Sequence, residues 1–120
     1  METRIATSIE QSQKLIELGI NVNTADMDYI PFANDSKNYD CVINLWNNEH
    51  EDDWIPAWSL SALLALMPVL DIDGEPVFFW LTTGLETWYA EYVTVAMFNA
   101  SNPIDAVYEM VCWLKENKKI

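Results

Sequence analysis

The sequence predicts an α+β fold: an antiparallel sheet of about three to four strands packed with helices mainly on one face. Three observations lead there. Helical stretches near both ends and in the middle carry cap signals at their boundaries. The interval 69–98 is rich in β-branched and aromatic residues and is punctuated by turn residues. The resulting order is helix, loop, strand, helix, strands, helix.

Thr7-Ser8-Ile9-Glu10 fits a capping box, with Thr7 as N-cap and Glu10 returning to its backbone. The helix expected over about 8–18 places Ile9, Leu15, Ile16 and Leu18 on a broad apolar side. Gly19 suits the left-handed position that follows, bringing Ile20 back towards Leu15 in a Schellman closure. Residues 21–39 show no sustained period and read as one long irregular connection, held to the body by Met27, Tyr29, Ile30 and Phe32. Cys41–Trp46 is expected to be a strand and Asn47–Asp53 an acidic loop.

In the middle, Ser59 stands as an N-cap before Leu60, Leu63, Leu64 and Met67, which share one helical face, and Pro68 stops the run. Val69–Ile72 is a strand, Asp73-Gly74 a hairpin turn, and Val77–Thr83 the next strand, with Pro76 tolerated only at its start. After a turn at Gly84-Leu85-Glu86, Trp88–Phe98 reads as one long strand. Its clearly polar positions are Glu91 and Thr94, which predicts cover on much of both faces. The last helix has Asn102 as N-cap, Pro103 at its first position and Asp105 in its first turn. Ile104, Val107, Tyr108, Val111 and Leu114 form its apolar stripe, and Lys118 and Lys119 complement its end.

At 120 residues the chain reads as a single domain, 1–120, and its 51% hydrophobic content supports a real core. No run approaches the ~20 apolar residues of a membrane span, and the start lacks the pattern of a signal peptide, so a cytoplasmic location is expected. Cys41 and Cys112 belong to no metal-spacing motif and are expected as reduced thiols. Nineteen acids against six bases set the net charge at −13, and His50 is the sole basic candidate between Lys37 and Lys115. Such a chain is expected to repel nucleic acid and anionic membranes and to attract basic protein surfaces or divalent cations.

Three stretches together, Thr7–Ile20 running on to Thr24–Met27, Pro56–Pro68 and Asn102–Asn117, resemble a group of small uncharacterised proteins encoded in prophages and mobile elements of Bacteroides-type bacteria. The resemblance implies a cytoplasmic, phage-related origin and carries over no catalytic residue.

The densest set of metal-ligating side chains is Glu49, His50, Glu51, Asp52 and Asp53, but successive loop residues do not converge on one ion, and a solvated loop is favoured. Asp71, Asp73, Gly74 and Glu75 hint at a calcium loop, yet Thr82 stands where the closing glutamate belongs, so a hairpin is favoured. A nucleophile elbow and a glycine-rich phosphate loop are both missing. No catalytic residue and no cofactor are therefore assigned. Trp54 and Trp58 are the candidate interaction residues, weighed against core packing. The leading expectation is a non-enzymatic protein-interaction module with an acidic surface. The alternatives are a DNA-mimic inhibitor of a nucleic-acid-binding protein, and a small metal-binding protein or enzyme using the 49–53 loop.

Overall fold

The structure, a computed structural model, describes residues 4–32, 35–44 and 53–120. Its architecture is α+β, and among the described residues the pairing is antiparallel and the strands are shared among three sheets of three, two and three. The chain divides into two compact units, Ile5–Ala62 and Met1–Arg4 with Leu63–Ile120.

In the first unit, α1 (Ile9–Glu17) starts one residue later than its sequence signal. Ser8 is the N-cap, and its hydroxyl accepts from the Gln11 N–H at 3.0 Å while Gln11 returns to the Ser8 N–H at 3.0 Å. Thr7 is drawn off by a longer-range bond set. Its N–H donates to the Trp58 carbonyl at 2.9 Å, and its buried hydroxyl accepts from the Trp58 N–H at 3.1 Å and bonds Ser12 at 2.8 Å. The helix closes as expected: Gly19 has φ +93°, its N–H reaches the Ile16 carbonyl, and the Ile20 N–H reaches that of Leu15 at 3.0 Å.

The expected irregular connection is instead mostly hairpin. After a 3-10 turn at Val22–Thr24 come β1 (Met27–Phe32) and β2 (Asp35–Ile43). With β3 (Ile55–Ala57) they form a sheet in the order β2-β1-β3. Much of β2 is polar and its Asn38 and Asp40 are exposed, so pairing with β1 makes it a strand where hydrophobic alternation does not. Met27 and Ala57 pair directly and pack with Ala6, while Tyr29 and Cys41, also paired, flank them. Asp28 is fully buried and accepts from Asn44 Nδ2 at 2.6 Å.

The division between the units falls within α2 (Leu60–Leu64). Ser59 caps it, accepting from the Ala62 N–H at 3.2 Å. Ser59 is held in turn by Asp26, whose carboxylate accepts from its N–H at 2.9 Å and its hydroxyl at 2.5 Å. The regular helix ends earlier than the apolar face extending to Met67 implied.

In the second unit, β4 (Leu70–Ile72) and β5 (Glu75–Val77) form a hairpin whose loop is Asp73-Gly74, at φ +54° and +86°. Two left-handed residues match the twist of the strands. Asp71 Oδ1 accepts from the Gly74 N–H at 2.8 Å, so these acids serve a turn. Nothing lies within 4 Å of a Cβ built on Gly74, so its requirement is conformational. Gly74→Ala should destabilise by about 1–2 kcal/mol, read as a lowered denaturant midpoint at unchanged slope. Pro76 lies inside β5, where the two-stranded pairing spares its missing donor.

Phe78 interrupts the expected run, and β6 (Phe79–Thr83) starts a separate sheet. The expected long strand Trp88–Phe98 is two strands, β7 (Trp88–Tyr92) and β8 (Ala96–Ala100), in the order β6-β7-β8. The turn between them contains no glycine. Thr94 takes φ +64°, and the Val95 N–H bonds the Tyr92 carbonyl at 2.9 Å. Against β7 and β8 packs α3 (Pro103–Glu116). Asn102 caps it as expected, accepting from the Asp105 N–H at 2.9 Å, and Asp105 also pairs with Arg4. Ile104, Val107, Val111 and Leu114 are buried as the stripe required. Met110 is buried with them, while Tyr108 is only partly covered.

Candidate interaction surface

The sequence-stated metal candidates divide at the edge of the described chain: Glu49, His50, Glu51 and Asp52 lie outside the described residues, and Asp53 is exposed in a turn. Among the described residues no group of three or more His, Cys, Asp or Glu side chains is placed to hold a metal ion. Trp54 is half-buried. Trp58 is fully buried, and its indole N–H donates to Thr24 Oγ1 at 2.9 Å, so the ring belongs to the core of its unit and not to a surface. The structure therefore does not bring the two candidate tryptophans into one exposed patch.

Cys41 and Cys112 are both reduced, as expected. Burial pushes the Cys41 thiol up, the carboxylates of Asp28 and Asp26 push the same way, and a hydrogen bond with Tyr29 opposes them. A thiol so placed is held protonated at neutral pH, the reverse of what a nucleophile needs.

The feature that sequence reading missed is the open face of the β6–β7–β8 sheet. Side chains alternate along each strand, so Trp80, Glu91 and Met97, which pair directly across the three strands, lie in one row on one face. Thr82, Tyr89 and Asn99 make the next row. On the opposite face Ala90 and Tyr92 are fully buried. Tyr92 there packs on Phe79 with ring centroids 5.5 Å apart and donates to the Pro68 carbonyl at 2.8 Å. The open face is different: Trp80 is 57% exposed and Met97 53%, with half-buried Glu91 between them. Phe78, immediately before β6, is 57% exposed.

Directly opposed residues in an antiparallel pair have Cβ atoms about 4.5–5.5 Å apart, so indole, carboxylate and thioether are immediate neighbours. At the β7–β8 turn the row runs into an open hollow of about 300 Å³, lined by Glu91, Tyr92, Thr94, Val95, Ala96 and Met97. That volume is at the lower limit of small-molecule sites, roughly 300–1,000 Å³, and suits a single side chain better than a cofactor. Glu91 is the one charged residue on β6, β7 and β8. A sequence signal for this face existed: the pairs Trp80/Thr82, Tyr89/Glu91 and Met97/Asn99 each recur at period two. It became legible only once the turn at Val93-Thr94-Val95 separated the last two strands.

Among the described residues no helix is long and apolar enough to cross a membrane. No protein-family model, curated protein or solved structure matches the chain.

Proposed function

We propose that the chain is a non-enzymatic protein-interaction module, phage-related and cytoplasmic, that engages a partner protein through the open face of the β6–β7–β8 sheet. The observation that carries this reading is the Trp80–Glu91–Met97 row, two large apolar side chains more than half exposed on either side of a carboxylate. Tryptophan is among the residues most enriched in binding hot spots, and methionine adapts its shape to a partner. The net charge of −13 favours a basic partner and speeds encounter with one. With Glu91 as the only charge on its strands, this face has the chemistry of a mixed apolar–acidic contact and not of a row of phosphates.

The test is affinity purification with the wild type, Trp80→Ala and Met97→Ser, with folding checked by circular dichroism. The expected result is a partner identified with the wild type whose affinity falls at least about tenfold with Trp80→Ala. A partner held equally by all three proteins would place the interaction on another surface.

A further inference from the structure

The row also has a chemical preference, which rests on the reading of this face as the partner-binding surface. We infer that it receives an arginine side chain from an extended, basic segment of the partner. A guanidinium is planar and weakly hydrated. It stacks on an aromatic face and pairs with a carboxylate through two parallel hydrogen bonds. The row offers those two elements side by side: the Trp80 indole, and the Glu91 carboxylate directly across from it on β7. Met97, directly across from Glu91 on β8, supplies a polarisable wall for the methylene stem. The hollow at the β7–β8 turn, lined by Glu91 and Met97, leaves open space beside the carboxylate for the head group.

Charge selects this occupant. The three strands contain no Lys or Arg that would neutralise Glu91 from within the sheet, and the chain as a whole is strongly acidic. A second copy fits poorly, because a two-fold face-to-face pairing at this row would bring Glu91 towards its own counterpart between two chains of charge −13 each.

The experiment is an array of ten-residue peptides probed with the labelled full chain and with its Trp80→Ala, Glu91→Gln and Met97→Ala variants. The best binder is then resynthesised with each arginine changed to lysine or to uncharged citrulline, and measured by fluorescence anisotropy at two salt concentrations. Arginine-bearing peptides should dominate. Citrulline should weaken binding at least tenfold and lysine by less, while Glu91→Gln should weaken it about tenfold and flatten its salt dependence. Unchanged binding of the citrulline peptide, or loss with Trp80→Ala but not with Glu91→Gln, overturns the arginine assignment while leaving the face as the docking surface. Peptide binding that none of the variants alters overturns the reading of the face as well. Binding of no peptide, or a dimer in sedimentation that Trp80→Ala dissolves, also overturns the inference, the latter in favour of a second copy.

Discussion

Trp58→Ala should lower the unfolding free energy by about 3–5 kcal/mol, a large part of the roughly 5–15 kcal/mol available to a small protein. The ring is fully buried, so truncation removes its apolar contacts and leaves a cavity that neighbouring side chains refill only in part. The bonds of the Trp58 main chain to Thr7, its carbonyl accepting from the Thr7 N–H at 2.9 Å and its N–H donating to the Thr7 hydroxyl at 3.1 Å, do not depend on the indole and should survive. The indole bond to Thr24 is lost, but Thr24 is exposed and can turn to water. Trp58→Phe should therefore cost less, roughly 1–3 kcal/mol. Urea unfolding of the three proteins checks this. A change within about 0.5 kcal/mol for Trp58→Ala, the range of ordinary surface positions, would contradict its placement in the core.

Tyr92 is the corresponding deep aromatic of the other unit, and its ring and hydroxyl can be separated. Tyr92→Ala should cost about 3–5 kcal/mol, because it removes the fully buried ring and its contact with Phe79. Tyr92→Phe keeps the ring and loses the hydroxyl's bond to the Pro68 carbonyl and its long, weak contact with Met67 Sδ at 3.8 Å, together about 1 kcal/mol. A pH dependence accompanies the hydroxyl. Burial pushes the Tyr92 phenol up to about 12, against about 10 for a free tyrosine. The folded state thus holds this proton more tightly than the unfolded chain. The stability it contributes is complete below about pH 10 and is lost as pH rises towards about 12. The measurement is the difference between wild type and Tyr92→Phe at pH 8 and near pH 11, which cancels every contribution the two proteins share. That difference should shrink with rising pH. A constant or widening gap would show that the phenol is not buried as described.

The two ends of the chain were the most legible. Asn102, Pro103 and Asp105 announce a helix start through contacts made within one turn, and Gly19 announces a helix end the same way. The Asp73-Gly74 hairpin is equally local, because two adjacent residues carry the whole left-handed turn. Where a distant partner competes, such reasoning slips. Thr7 matches a capping signal as well as Ser8 does, but its polar atoms are committed to Trp58, 51 residues away, and the cap moves along by one.

The candidate site was legible in composition and hidden in arrangement. The surplus of tryptophan is plain in the sequence, yet Trp58 is core and Trp80 is surface, and no local property of either residue separates them. The break in Trp88–Phe98 was concealed because its left-handed residue is Thr94, where a glycine or asparagine would have marked the turn.

By itself, then, the sequence determined the α+β class, the acidic character, the capped helices and the glycine-marked turns, all of which follow from composition or from contacts between near neighbours. Tertiary structure alone decided that the polar segment Asp35–Ile43 is a strand, that the strands among the described residues form three sheets, and that Trp80, Glu91 and Met97 share one row on the open face. The physical reason is that strand register is set between segments and not within them. Shifting a strand by one residue turns every side chain to the other face, and local sequence leaves that choice to the partner strands.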